Sequence, residues 1–202
     1  MKQINSLITT KPTAHSLPSS MQLTELGLGT KLDGKQISKA RAYLTKRTDP
    51  YQTEKDLLTS MRSLTESDIS VKPTLGTIGS IAKVILSFEN VDKLNEAYTK
   101  VFMCMVGLPV KDLQQRLLVL STLVQRQFGD SPDDLEVRIN STAKELAHYP
   151  ADIVLKSISE VQKTERYFPS FSVFFKHILW RYESRKQFLI ALDKEAERLN
   201  EC

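Results

Sequence analysis

The sequence predicts an all-α fold: a helical bundle of about seven or eight helices with a disordered N-terminal arm and a long C-terminal helix. Apolar residues recur at helical spacing along most of the chain, and no run of alternating apolar and polar residues is long enough to demand a sheet. Capping residues followed by proline or by acidic residues mark several helix starts. The chain has 202 residues, 41% of them hydrophobic, which is enough to bury a core.

Composition divides the chain into three parts. Residues 1–34 are rich in Ser, Thr, Gly and Pro, with scattered single leucines, and are expected to form a flexible arm. Residues 35–187 are expected to form the helical bundle, and residues 188–202 the end of the long C-terminal helix. The arm has too few apolar residues to recover its ordering entropy, so the fold should not depend on it.

Caps, prolines and glycines predict the helices of the bundle. Gly34 to Arg47 reads as a short basic helix, and Asp49-Pro50 is a cap with proline at the first helical position. The apolar run IAKVILSF, residues 81–88, is compatible with helix or strand, and the helices on both sides favour helix. Further helices are predicted to begin at Asn90, Val110, Ser131, Ala151 and Ser170.

A weak internal similarity relates two segments at an offset of 41 residues. AYTKVFMCMVGLPVKDLQQRL and RINSTAKELAHYPADIVLKSI align so that Pro109 falls on Pro150. Each segment reads as a helix, a corner with a large residue before proline, and a second helix. Because a solenoid typically needs at least about three repeats, we interpret the similarity as two antiparallel helical hairpins that share a type of corner.

The C-terminal helix is predicted to run from Ser170 toward Glu201 with a heptad seam, which Arg185 alone interrupts. Its second half, KQFLIALDKEAERLN, has an apolar stripe only one residue wide per turn, whereas a helix packed on a body usually has a wider one. An intramolecular helix is the alternative, since this period arises in any long bundle helix. We predict that the segment after about Phe188 projects from the body and binds a partner through Leu189, Leu192, Ala196 and Leu199.

Basic residues are concentrated toward the N-terminus. Residues 1–47 contain eight basic and two acidic residues, a net charge of +6, whereas residues 48–162 carry −4 and residues 163–202 carry +2. Such a cluster is suited to contacts with phosphate groups, and the plainer alternative is a solvated helix face. The candidate nucleic-acid-binding residues are Lys31, Lys35, Lys39, Arg41, Lys46 and Arg47.

No constellation of residues indicates catalysis. His15, His148 and His177 are scattered without metal-ligand spacing, and Cys104 and Cys202 form no disulfide framework. The sequence contains no phosphate-binding glycine loop, Gly-x-Ser-x-Gly motif or zinc-finger spacing. We therefore expect a protein that is not an enzyme and needs neither a metal ion nor a cofactor. Without an apolar run of about 20 residues or a secretory leader, it is expected in the cytoplasm and not in a membrane.

An aromatic group surrounds the start of the C-terminal helix. With the lysines and arginines nearby, these rings would suit stacking on the bases of single-stranded nucleic acid. The alternative is a hydrophobic core with a charged rim, which the heptad spacing favours, although Phe174 and Trp180 fall off the seam and are candidates for exposure. The group comprises Tyr167, Phe168, Phe171, Phe174, Phe175, Trp180 and Tyr182.

The segment ELAHYPADIVLKSISEVQKTERYFPSFSVFFKHI, residues 145–178, contains a helix that ends in Tyr149-Pro150, a helix of the type A-D-I-V-L-K-S-I, and a Phe168-Pro169-Ser170 corner that opens the next helix. It resembles a segment of phage and prophage helical proteins, including small replicative-helicase loaders. The resemblance covers about a sixth of the chain and consists of packing residues. It implies a prophage-borne accessory protein of DNA replication that recruits or loads a replicative helicase by protein contacts, without hydrolysing ATP.

Three functional hypotheses follow. The first is this replication adaptor, whose basic arm holds DNA loosely and whose helical body or terminal helix holds the helicase. The second is a DNA-binding regulator that uses the basic cluster at residues 31–47, although no helix-turn-helix pair is evident. The third is a self-associating scaffold protein with the heptad seam as its interface. The sequence leaves the oligomeric state open.

Overall fold

The computed structural model describes residues 32–65, 84–125 and 131–200. Within these ranges the chain forms seven α-helices and no β-strand, which confirms the all-α prediction. None of these helices combines the length and the hydropathy that a bilayer-spanning helix requires. The predicted arm lies outside the described ranges except for its last residues. The helices are α1 Gly34–Thr45, α2 Pro50–Leu64, α3 Val91–Cys104, α4 Val110–Leu123, α5 Pro132–Leu146, α6 Ala151–Thr164 and α7 Phe171–Asn200.

Side-chain caps start α2, α3 and α5 at the predicted positions. Asp49, Asn90 and Ser131 each accept a hydrogen bond from a backbone N–H in the first turn of the helix that follows, at 3.0 to 3.1 Å. α4 and α6 start instead after Pro109 and Pro150, without a side-chain cap. Each of the three caps lies 41 residues after the one before it, and the two prolines are also 41 residues apart. The offset found in the sequence therefore recurs in the positions of the helix starts.

The 41-residue similarity corresponds to a repeated geometry, but not to two hairpins. α4 and α6 each have 14 residues and each end at a residue with extended backbone. The Ala151 N–H donates to the Val106 oxygen (3.0 Å) near the starts of the two helices, and the Gln125 N–H donates to the Arg166 oxygen (2.8 Å) beyond their ends. α4 and α6 therefore run side by side in the same direction. The predicted hairpins across the proline corners are wrong, because α4 and α6 pack against the helices that follow them, α5 and α7.

The described part of the IAKVILSF run is not helical, so the predicted helix is wrong there; its first three residues lie outside the described ranges. Val84, Leu86 and Phe88 are buried, and the residues between them are exposed, as in a strand with one buried face. We call residues 84–88 the extended segment. Side chains of α7 bond to the backbone of Phe88: the Phe88 N–H donates to Glu195 Oε1 (2.7 Å), and Arg198 Nη2 donates to the Phe88 oxygen (3.1 Å). Contacts with residues distant in the sequence therefore decide the conformation of this segment, and the helical neighbours on which the prediction was based do not.

Buried apolar side chains form two cores that share α7. The first core lies between α2, α3, the extended segment and the second half of α7. The second core lies between α4, α5, α6 and the first half of α7, with Leu44 of α1 at its edge. Arg185 lies on α7 between the two cores and is fully buried. The residue that interrupts the heptad seam thus marks the boundary between the cores.

The C-terminal part of α7 packs on the body, so the prediction that it projects is wrong. Phe188, Ala191 and Glu195 are buried beside the predicted stripe, which makes the contact wider than the apolar spacing indicated. The hydroxyl of Tyr98, on α3, donates to Asp193 of α7 (2.8 Å), so polar residues that flank the stripe also contact the body. The stripe belongs to the first core and comprises the residues predicted to bind a partner, Leu189, Leu192, Ala196 and Leu199.

Candidate functional site

A polar cluster lies in the interior where α2, α3, α6 and α7 meet. Arg185 Nη1 donates to Asp152 Oδ1 (2.8 Å) and Nη2 donates to Asp152 Oδ2 (2.5 Å), and both side chains are fully buried. Nη1 also donates to the carbonyl oxygen of Cys104 (2.8 Å), which the end of α3 would otherwise leave without a partner. Nη2 donates to the carbonyl oxygen of Pro50 (3.4 Å) at the start of α2. We call Arg185, Asp152 and Glu54 the Arg185 junction.

Glu54 is the member of the Arg185 junction that lacks a close partner. Its side chain is on α2, the residue is 3% exposed, and Oε1 lies 3.9 Å from Arg185 Nε without a hydrogen bond to it. Burial raises the pKa of Glu54 to about 7, against the opposing effect of the Arg185 and Arg181 charges. Because the junction is closed to solvent, its side chains hold helix ends together and do not face a substrate.

An open groove of about 520 Å³ lies on the surface between α4 and α6, beside the C-terminal end of α1. Its apolar lining includes Val119 and Leu123, which are one turn apart on α4 and are each 58% exposed. Leu155 and Ile158 contribute from α6, and Leu120 is buried beneath them. We call this surface the α4–α6 groove. Large apolar side chains that remain exposed beside a concave surface are typical of interaction sites.

Basic and neutral polar residues complete the lining of the α4–α6 groove. Arg47 pairs with Asp56 (2.6 Å) and Lys156 pairs with Glu160 (3.1 Å). Arg116 is exposed and has no ion-pair partner among the residues that the structure describes. No carboxylate belongs to the lining, whose neutral polar members are Thr45, Thr48, Gln115, Ser159 and Gln162.

Part of the predicted nucleic-acid-binding cluster forms an exposed lysine stripe on α1. Lys35 and Lys39 are one turn apart, and Lys46, which caps the helix, follows seven residues later on nearly the same face. All three are exposed and form no ion pair within the described ranges. Lys31 lies outside those ranges. Contacts between the lysine stripe and phosphate groups remain a prediction.

The two arginines of the predicted cluster have partners inside the fold. Arg41 Nε donates to the carbonyl oxygen of Gly107 (3.0 Å) and so joins α1 to the corner before α4. A Cβ atom on Gly107 would lie 2.3 Å from the carbonyl oxygen of Ala147, because the two proline corners pack backbone against backbone. Arg47 Nη2 donates to Asp56 Oδ2 (2.6 Å). The predicted cluster is therefore not a single free basic surface.

The aromatic group is mainly part of the second core. Phe168, Phe174 and Tyr182 are buried, so Phe174, a candidate for exposure, belongs to the core. Trp180 is half-buried, with the Arg181 guanidinium 4.2 Å from the ring centroid. These residues present no row of free ring faces, and the core interpretation accounts for most of the group.

The α4–α6 groove was not predicted from the sequence, although the apolar residues of α4 give an indication of it. Leu113, Leu117 and Leu120 lie on one face of α4 and are buried. The same helix also has Val119 and Leu123 on another face. It therefore has more apolar residues than a single packing face requires. Apolar residues on two faces of one helix indicate either burial on both faces or an exposed contact surface, and spacing alone does not separate these outcomes.

Comparison with known proteins found no match: no protein-family model, no curated protein and no solved structure is significantly similar to the chain. Among the described residues, no group of His, Cys, Asp and Glu side chains is arranged to hold a metal ion. The chemistry of the α4–α6 groove and of the lysine stripe therefore carries the functional argument.

Proposed function

We propose that the protein is a non-catalytic accessory protein of phage-type DNA replication that recruits or loads a replicative helicase through protein contacts. The observation that carries the proposal is the composition of the α4–α6 groove. One of its walls is α6, the central helix of the segment at residues 145–178 that resembles helicase loaders, and Leu155, Lys156 and Ile158 of α6 line the groove. The resembling segment thus contributes to an open apolar surface as well as to the core.

DNA contact is the second part of the proposal. The lysine stripe on α1 presents three ammonium groups to solvent, in a part of the chain with a net charge of +6 over residues 1–47. Such contacts position a protein on DNA without reading its sequence, and their affinity falls as salt rises. A protein that holds DNA loosely and a helicase more firmly would act as an adaptor, and we place this activity in the cytoplasm.

The scaffold hypothesis requires the heptad seam of α7 as the interface between copies of the chain. The heptad seam from Ile178 to Ala196 is buried within the two cores, so it is not available to a second copy of the chain. The regulator hypothesis uses the same lysines as the adaptor hypothesis. Binding that depends on the DNA sequence would favour the regulator, and binding that does not depend on it would favour the adaptor.

The test is a reconstitution with the purified replicative helicase of the host. We expect a complex in size-exclusion chromatography with light scattering, and faster loading of the helicase on single-stranded DNA coated with single-strand-binding protein. Replacing Lys35, Lys39 and Lys46 with Gln should lower the salt dependence of DNA binding without affecting the complex with the helicase. Failure to bind the helicase at micromolar concentrations would refute the proposal.

A further inference from the structure

We infer that the α4–α6 groove is the docking site for an acidic amphipathic helix, about two turns long, on a partner protein. The inference deepens the proposed function and rests on it for the identity of the partner. The existence and the chemistry of the site follow from the residues of the groove alone.

The dimensions of the α4–α6 groove match a short helix. Its lining extends from Gln115 to Leu123 on α4 and from Leu155 to Gln162 on α6. At a rise of about 1.5 Å per residue these stretches are about 12 and 10 Å long, and two turns of an α-helix measure about 11 Å. Because α4 and α6 run in the same direction and are joined near their starts and beyond their ends, the space between them is a trough with fixed walls, into which the side chains of a third helix can insert.

The apolar lining indicates the sequence pattern of the occupant. Val119 and Leu123 are one turn apart on one wall, and Leu155 and Ile158 lie on the other. A helix that contacts both walls needs large apolar residues at positions i and i+4 or i and i+3 on one face, which is the usual pattern of helix-in-groove recognition. The apolar walls disfavour nucleic acid as the occupant, since its sugar–phosphate backbone has no side chains to fill them.

The charges of the α4–α6 groove favour acidic flanks on the occupant. Arg116 is unpaired among the described residues, and no carboxylate belongs to the lining. Arg47 is held by Asp56 and Tyr43, whereas the ion pair of Lys156 with Glu160 is at the surface, where such pairs contribute little net stability. A carboxylate on a partner can therefore replace Glu160 at little cost.

Charge also disfavours the chain's own N-terminal residues as the occupant. Residues 1–31 contain three basic residues and one acidic residue. Their net positive charge would meet a groove whose charged lining is entirely basic. A partner protein with acidic side chains is the complementary occupant.

The test uses the full-length protein and a displayed library of helical peptides of about 14 residues. Each peptide has a fixed apolar face, and its flanking positions vary among Glu, Gln and Lys. We expect selection to enrich Glu at the flanks. The enriched peptide, labelled with a fluorophore, should bind Val119→Gln/Leu123→Gln at least about tenfold more weakly than the wild type, since loss of the central apolar contacts removes most of the binding energy. Arg116→Glu should also weaken binding, with a smaller effect at high salt.

Two variants on other surfaces serve as controls. Val137, on α5, is 66% exposed and is outside the groove lining, so Val137→Gln removes an exposed apolar side chain elsewhere. Arg62 is exposed on α2, so Arg62→Glu makes the same charge change away from the groove. We expect both control variants to bind the enriched peptide within about twofold of the wild type.

Several outcomes would overturn the inference: enrichment of Lys at the flanks, equal binding of the enriched peptide to the groove variant, or no enrichment at all. Tighter peptide binding after deletion of residues 1–31 would assign the groove to the chain's own N-terminal segment. A wild-type dimer that Val119→Gln/Leu123→Gln converts to a monomer would assign the groove to a second copy of the chain. Either result would replace the proposed occupant.

The helicase reconstitution distinguishes failure of this inference from failure of the proposed function. A helicase that binds the groove variant as tightly as the wild type would overturn the groove inference and leave the recruitment function standing. A peptide that binds the groove, combined with a helicase that does not bind the protein, would refute the recruitment function and leave the groove inference standing.

Discussion

The Arg185 junction and the α4–α6 groove each place an arginine beside apolar side chains, and α6 contributes to both, with Asp152 to the first and Lys156 to the second. In the junction, the buried guanidinium donates to two carboxylate oxygens and two backbone carbonyls. In the groove, Arg116 is exposed and has no ion-pair partner among the described residues. An arginine that makes four hydrogen bonds inside the fold holds helices together, whereas an unpaired arginine beside an open apolar surface is available to a partner.

The largest effect is expected from truncation after Lys186. This change removes Phe188, Leu189 and Leu192 from the first core, and it also removes Glu195, which accepts a hydrogen bond from the extended segment. The loss of several fully buried side chains, each worth about 2–5 kcal/mol, exceeds the stability of most domains. We expect no cooperative thermal transition in circular dichroism. A truncated chain that melts within a few degrees of the full-length protein would restore the view that this helix projects.

Arg185→Ala should have the next largest effect. Removing one partner of a buried ion pair leaves the Asp152 carboxylate without its counter-charge, which typically costs about 3–5 kcal/mol. Urea denaturation measures this loss, and Arg116→Ala, which removes an exposed arginine, should change stability by less than about 0.5 kcal/mol.

A double variant separates the two causes of the Arg185→Ala effect. Arg185→Ala/Asp152→Ala should be less destabilised than the sum of the two single variants, because neither member of the Arg185–Asp152 ion pair then remains without its counter-charge. Additive effects, or a single-variant loss below about 1 kcal/mol, would mean that the Arg185 junction does not hold the two cores together.

The pH dependence of stability should report on Glu54. Its pKa is raised from an ordinary value of 4.5 to about 7 in the folded protein, so the folded state retains a proton that the unfolded state releases between these values. Stability from this group is fully present below pH 4.5 and is lost as pH rises through about 7. At about 1.4 kcal/mol per unit of pKa shift, the loss is at most about 3–4 kcal/mol.

Glu54→Gln is the matched variant for this pH effect. It should be more stable than the wild type at pH 8, and the difference should shrink as pH falls to 5, in urea denaturation at each pH. Parallel stability curves for the two proteins would show that Glu54 does not titrate in this range.

The smallest effect on stability is expected in the α4–α6 groove. Val119 and Leu123 are largely exposed, so Val119→Gln/Leu123→Gln should change the free energy of unfolding by less than about 1 kcal/mol. Chemical denaturation measures this change. A loss as large as that of Arg185→Ala would show that the groove residues stabilise the fold, and it would blur the distinction between the two regions.

Most helix starts could be predicted from the sequence because their causes are local. A cap such as Asp49, Asn90 or Ser131 bonds to a backbone N–H two or three residues away, so the signal and its partner lie in one window of sequence. The extended segment could not be predicted in this way. The Phe88 N–H bonds to Glu195, 107 residues further along the chain, and no local pattern contains that contact.

The sequence by itself determined the fold class and the positions of the corners, because caps, prolines and apolar period act over a few residues. Only the tertiary structure decided which residues are core and which are available to a partner. Leu189 and Val119 both lie on helices with a clear apolar pattern, yet Leu189 is covered by the first core and Val119 lines an open groove. Burial depends on elements that are distant in sequence, and in the same way Arg185 became a structural residue only through its contacts with α2, α3 and α6.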